Sequence, residues 1–223
     1  MCDAIRAELR SNRDLRAVVI TGAGSAFCSG ADLVTRFDGE GGDTFRPAFE
    51  KMLDAVVDYA APVIAAINGP AMGAGMQLAV ACDIRVAALG ARLAIPGGKL
   101  GVHLSAKNIW RLASLVGHGN ARDFLLAGRV VNSDEALHMG LVQRLSDDAL
   151  GTALGIAGEI AAFAPLTVQG HKRSLNLVAE ATALNKRARD EIERLEEQAF
   201  ASADLREGMA AFTEKRNPNF TGE

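Results

Sequence analysis

Apolar and polar positions along this chain follow two periods, and the switches between them lay out an order of strands, turns and helices. Residues 17–21 (AVVIT) and 63–67 (VIAAI) are short, β-branched apolar runs bounded by turn residues, which predicts buried strands. Glycine ends each run: Gly22 and Gly24 after the first, Gly69 and the triplet Gly73-Ala74-Gly75 after the second. Residues 83–87 and 92–95 predict further short strands. Helical spacing predicts a helix tail over 4–10 ahead of a polar turn at 11–14, a helix entered through Pro47 and running to about Tyr59, and an apolar helix over 76–82. Helices follow at 107–116 and 121–127. Beyond Asp147 the pattern is helical almost throughout, with spans at 149–163, 165–179, 184–200 and 205–215. The segment 35–47, which contains FDGEGGD, is the most loop-like of the chain and is expected to be mobile. The order is that of an α/β protein: a mixed front over 1–146 and a helical region over 147–223, with no Gly/Ser or Pro-rich linker between them and therefore one structural unit.

Composition narrows the partners. At 223 residues the chain can bury one sizeable core. Its net charge of −3 comes without a basic block or stripe, which recommends neither nucleic acid nor an anionic membrane as partner. The apolar stretch around 56–84 is broken by Asp58, Pro62, Asn68, Pro70 and Asp83, so it reads as strand, turn and helix and not as a membrane span. Cys2, Cys28 and Cys82 form no CxxC pair, and no His cluster has metal-ligand spacing, so no metal is expected and a reducing cytoplasm fits best. The first residues lack the apolar core of a secretory signal.

Glycines ahead of a helix let the backbone approach a ligand, and the helix N-terminus offers unpaired N–H groups under a positive dipole. GAGSAF has the flavour of a dinucleotide fingerprint but lacks its third glycine, and neither turn ends in the GK[ST] of a phosphate loop. Taken singly, each turn could serve only to reverse the chain.

The pair is more specific. FCSGADL, then INGPAMGAGMQLAVACDIRVA, then EGMAAFTEKRNPNF, in this order, resemble the enoyl-CoA hydratase/isomerase (crotonase) superfamily over nearly the whole chain, and in particular members that lack both hydratase glutamates. The resemblance implies a spiral of ββα units with a helical C-terminal region that makes trimers, often paired into hexamers, and acyl-CoA thioesters of fatty acid metabolism as substrates or ligands. No separate cofactor is implied, since CoA is part of the ligand. Reactions next to a thioester carbonyl push charge onto its oxygen, and two preorganised N–H donors stabilise that enolate-like species, each by roughly 3–4 kcal/mol in comparable oxyanion holes. On this resemblance the donors are the N–H groups of Ala31, in SGADL, and Ala74.

The same resemblance places the usual acids three residues after Ala74 and twenty residues further on, at Gln77 and Gly97. An amide can hold a water but cannot take its proton near neutral pH, and glycine can do neither. Restoring both acids is expected to produce hydration if the remaining pocket is intact. Within PGGKLGVHLSAKN, where other members place an acid or nucleophile, His103 is the candidate acid/base, a structural role being about as good an account of it. Ser105 stands where some relatives carry an aspartate, and serine alone is a poor base; Lys99 and Lys107 read as solvated. Cys28 lies in an FC[AS]G motif that members carry without covalent chemistry. Asp32 and Asp83 read as local hydrogen-bonding positions, and Glu40 and Asp43 as solvated loop residues.

The tail implies a CoA contact. In relatives the phenylalanine and lysine of AFxEKR reach a neighbouring subunit's CoA, the lysine pairing with its phosphates; these are Phe212 and Lys215. Ala26, through its carbonyl, and Asp32 are placed beside the CoA channel. Relatives begin with a β-hairpin and an RPxxxNAL loop, so an N-terminal hairpin of ~25–30 residues is expected to be missing ahead of Met1, either because translation starts upstream or because the first sheet has lost an edge. The expected function is acyl-CoA binding with little or no hydratase activity; the alternative is an atypical hydratase or isomerase using His103 or a water held by Gln77.

Overall fold

The computed structural model describes residues 1–31, 45–181 and 186–222. Among them the strands are β1 (Val18–Thr21), β2 (Val63–Ile67), β3 (Ala71–Met72), β4 (Ile84–Ala88), β5 (Arg92–Ala94), β6 (Val131–Asn132) and β7 (Arg144–Ser146). The helices are α1 (Cys2–Ser11), α2 (Phe45–Val57), α3 (Ala74–Ala81), α4 (Ala106–Leu126), α5 (Ser133–His138), α6 (Ala149–Ala161), α7 (Pro165–Ala181), α8 (Lys186–Ala201) and α9 (Ala203–Glu214). The residues group into two compact units, Met1–Leu93 with Val131–Thr182, and Ala94–Val130 with Ala183–Glu223.

The first unit is built on a parallel sheet in the order β1-β2-β4-β7, with Val18 opposite Val63, Ile64 opposite Ile84, and Val86 opposite Arg144. Every residue of the central strand β2 is buried, as expected of a parallel strand covered on both faces. On one face Ile64, Ala66 and Val86 pack against Ala149, Ala153 and Ile156 of α6. The helical stretch beyond Ser146 therefore does not stand apart: α6 completes the core of the sheet. Helix α7 is tied to the same unit by Lys172, whose ammonium donates to Asp83 Oδ2 (2.7 Å) and to the Ala61 carbonyl (3.1 Å). Asp83 Oδ2 also accepts from the Val63 N–H at 2.7 Å, fixing where β2 begins. The smaller sheet, β3-β5-β6, pairs β5 with β6 antiparallel.

In the second unit a single turn of 3-10 helix, Gly97–Lys99, leads to α4, which bends at Gly117 (φ 76°). The helices predicted at 107–116 and 121–127 are thus the two arms of one broken helix, because glycine at that φ is a low-cost break. Helix α9 lies directly on the turn: a Cβ on Gly208 would sit 2.8 Å from the Leu100 carbonyl carbon, and one on Gly101 2.8 Å from Leu205 Cα. Helix α2 starts at Phe45, two residues before Pro47, so the proline occupies the first turn instead of opening the helix. Most of the expected 35–47 loop falls outside the described residues.

Candidate functional site: two glycine turns at the ends of parallel strands

Strands β1 and β2 are neighbours and run parallel, so their C-terminal ends deliver the two glycine turns side by side. This is where parallel α/β sheets place ligands. The chain after β1 is laced to the segment after β2 by backbone bonds: Phe27 N and Cys28 N donate to the Pro70 carbonyl (3.1 and 3.2 Å), and Met72 N donates to the Cys28 carbonyl (2.9 Å). Side-chain-free positions make this seam possible. A Cβ on Gly75 would lie 2.6 Å from Cys28 Cβ, closer than real atoms approach. Gly30, at φ 108°, holds a backbone conformation that other residues rarely adopt, and a Cβ there would lie 3.1 Å from the Met72 carbonyl oxygen and 3.8 Å from the Ala74 nitrogen.

Ala31 follows Gly30 and is half-buried, while Ala74 is the first residue of α3. The N-cap of α3 is Gly73 (φ 53°), which offers no side-chain cap to the first N–H groups of the helix. An uncapped helix start beside a second turn suits a partial negative charge. Gln77 lies half-buried one turn into α3, its N–H bonded to the Gly73 carbonyl at 3.1 Å. The far end of α3 is held by Arg85 of β4, only 3% exposed. Its Nη1 donates to the Ala79 (3.2 Å) and Cys82 (2.5 Å) carbonyls and its Nε to the Leu141 carbonyl (2.9 Å), while Nη2 donates to Gln143 Oε1 (2.9 Å). Burial lowers the basicity of this guanidinium, which at physiological pH remains charged all the same and sits at the negative end of the helix. Burial also pushes the Cys82 thiol up to about 12, leaving it an inert packing group.

Asn68, directly after β2, is marked in the sequence only by its place in a turn. Its Nδ2 donates to the Gly22 (3.1 Å) and Gly24 (2.9 Å) carbonyls, and its Oδ1 accepts from Gly22 N (3.0 Å) and Thr21 Oγ1 (3.4 Å). The only hint in the sequence was an amide between a fully apolar strand and a Gly-Pro pair. Ala26, expected to offer its carbonyl to CoA, is half-buried and turns that oxygen towards Gly22. Asp32, Glu40 and Asp43 lie outside the described residues.

The remaining candidates belong to the second unit. Gly97 takes part in a compact turn, with Val102 N and Leu100 N both donating to its carbonyl (2.9 and 3.0 Å), and a Cβ on it would lie 2.5 Å from the Val102 carbonyl oxygen. Among the described residues, His103 Nδ1 is a buried side-chain nitrogen with no hydrogen-bond partner. Ser105 N-caps α4, and Lys99 and Lys107 are exposed. Phe212 is exposed on α9, and Lys215, predicted as the last residue of a helix over 205–215, falls one residue beyond α9 as its left-handed C-cap (φ 55°). Among the described residues no group of His, Cys, Asp and Glu could hold a metal ion.

The family model for enoyl-CoA hydratase/isomerase matches residues 1–223. A protein of Mycobacterium tuberculosis described as a probable enoyl-CoA hydratase is 42% identical over 214 residues, covering 93% of this chain and 82% of its own. The crystal structure of an enoyl-CoA hydratase/isomerase from Pseudoalteromonas atlantica superimposes with a TM-score of 0.85 at 32% identity, over 99% of this chain and 88% of that one. A methylmalonyl-CoA decarboxylase in complex with 2-nitronate-propionyl-CoA shares the fold, with a TM-score of 0.90 over 100% of this chain and 88% of that one, at 22% identity. The chain belongs to the enoyl-CoA hydratase/isomerase family, and its α/β architecture is that of the crotonase fold.

Proposed function

We propose that this protein binds acyl-CoA thioesters with the thioester oxygen between the N–H groups of Ala31 and Ala74, and that it has little or no hydratase activity. The observation that carries the reading is the approach of Gly30 to Met72 and Ala74, which sets the two donor-bearing turns against each other. Gln77 and Gly97 support the second half of it. The amide of Gln77 has no proton-accepting capacity near neutral pH, and the turn at Gly97 has no room for a side chain. In this reading Phe212 and Lys215 recognise the CoA, Ala26 and Asp32 flank its channel, and no separate cofactor takes part. The protein works in the cytoplasm as a homotrimer or hexamer; no single helix among the described residues is long and apolar enough to cross a membrane.

The orphaned Nδ1 of His103 favours one second reading, an atypical hydratase or isomerase in which His103 moves the proton, or in which Gln77 holds the attacking water. Calorimetric titration with acyl-CoA, combined with the loss of enoyl-thioester absorbance, separates the two. Binding without turnover is expected. Hydration at ordinary enzyme rates, about 1–10³ per second, overturns the binding reading, and its loss in His103→Ala then assigns the base.

A further inference from the structure

The turns that carry Ala31 and Ala74 come from different strands, and something must hold them in register. Backbone bonds at Cys28, Pro70 and Met72 do so close to Ala74. The other end of the first turn, Gly22 to Gly24, is gripped by a single side chain. Asn68 donates twice, to the Gly22 and Gly24 carbonyls, and accepts from the Gly22 N–H and the Thr21 hydroxyl, so both faces of its amide are spent on the turn after β1 while its own backbone belongs to the turn after β2. We propose that Asn68 is a positioning residue for the oxyanion hole: it fixes the spacing of the Ala31 and Ala74 N–H groups without touching the ligand. The inference rests on the reading of those two N–H groups as thioester donors.

Chemistry makes the amide hard to replace. Aspartate keeps the acceptor for Gly22 N but turns both donated bonds into contacts between a carboxylate and carbonyl oxygens. Alanine leaves the Gly22 and Gly24 carbonyls and the Gly22 N–H without their partner. In either variant the first turn relaxes away from β2, and the two donors no longer meet one oxygen.

Infrared difference spectra of an acyl-CoA labelled with 13C at the thioester carbonyl, bound to the full chain, report on the hole itself. Donation from two N–H groups lowers the carbonyl stretch relative to the free ligand. The expected result is a clear downshift in the wild-type protein, reduced by half or more in Asn68→Ala and in the near-isosteric Asn68→Asp, with the affinity for adenosine 3′,5′-bisphosphate changed less than threefold. The second variant covers a failure of the first to fold. An unaltered downshift in whichever variant folds overturns the role of Asn68 alone. Absence of any downshift in the wild-type protein with ligand bound, or absence of binding, overturns the oxyanion-hole reading and this inference with it.

Discussion

Gly97 differs from Gln77 in what a substitution there would meet. Gln77 is half-buried on a helix, where glutamate is nearly isosteric; at Gly97 the first carbon of any side chain runs into the Val102 carbonyl oxygen at 2.5 Å. Sequence alone leads one to expect that restoring both acids would produce hydration. The shape of the 97–102 turn leads to the opposite expectation: Gln77→Glu/Gly97→Glu stays inactive, and Gly97→Glu costs about 1–3 kcal/mol through forced backbone movement. Urea unfolding measures the cost, and loss of enoyl absorbance measures the activity. Turnover near 1 per second in the double variant would falsify the claim that this turn excludes a side chain. The two turns are legible because glycine after an apolar strand is a sequence property, while their reading as one site comes from the resemblance to the family. The crowding at Gly97 and the four bonds of Asn68 are not legible, since both depend on atoms brought close only by folding.

At the scale of elements, the apolar runs locate β1, β2, β4 and β5 to within a residue or so; for β2, burial on both faces leaves a continuous apolar sequence. Strands β3, β6 and β7 and helix α5 are not among the predicted elements; β7 is three residues long and opens on the exposed Arg144, and α5 is six residues long. Strands β3 and β6 are two residues long, and Ala71–Met72 sits inside a Gly/Pro turn whose pairing with β5 is long-range. The buried charges are not predicted either: Arg85 lies in an apolar strand and Lys172 on a helix of mixed polarity, with nothing local to mark either. Arg85 links α3, β4 and the Leu141 carbonyl, so Arg85→Met removes a donor from three buried carbonyls and is expected to lower stability by at least about 1–3 kcal/mol. Arg85→Lys does not rescue it, since one ammonium cannot span the same acceptors. Full wild-type stability of Arg85→Lys in urea would contradict this.

Helix α9 carries a pH-dependent contact of its own. Glu207 accepts from Arg216 at 2.5 and 2.9 Å and from Asn219 N at 2.7 Å, and these bonds, with that to Arg216 foremost, hold its carboxyl down to about 2 from an ordinary 4.5. A carboxylate held low contributes its stabilisation above its unfolded pKa and loses it as pH falls through the folded one. The tail contact is therefore complete above pH 4.5 and fails as pH drops towards 2. Hydrogen exchange at the Asn219 amide, accelerating over that interval after correction for the intrinsic rate, is the expected signature; an unchanged protection factor would refute it. Cys82 has the opposite sign. With its thiol pushed up from 9 to about 12, its contribution is intact below pH 9 and is lost as pH rises towards 12.

For the whole molecule the unresolved balance is apolar surface. Helix α6 spends one face, Ala149, Ala153 and Ile156, on the sheet, yet the same unit leaves Phe163 57%, Leu166 84%, Leu175 69% and Val178 63% exposed. Exposed apolar side chains of this size are what a contact between copies of the chain would cover. The proposed homotrimer or hexamer would supply such a contact and would also give the exposed Phe212 and Lys215 a neighbour's ligand to meet. Light scattering is expected to return three or six times the 23.4 kDa chain mass. In Phe163→Asp/Leu175→Asp the mass should fall to that of one chain with the circular dichroism unchanged. If Lys215 serves the neighbour's CoA, the same variant also loses its charge-assisted phosphate contact, about 1.5–3 kcal/mol or roughly tenfold to a hundredfold in affinity. A wild-type protein that scatters as a single chain would end the oligomer reading. A monomeric variant that keeps its affinity would place Lys215 outside the ligand site while leaving the paired turns at Ala31 and Ala74 untouched.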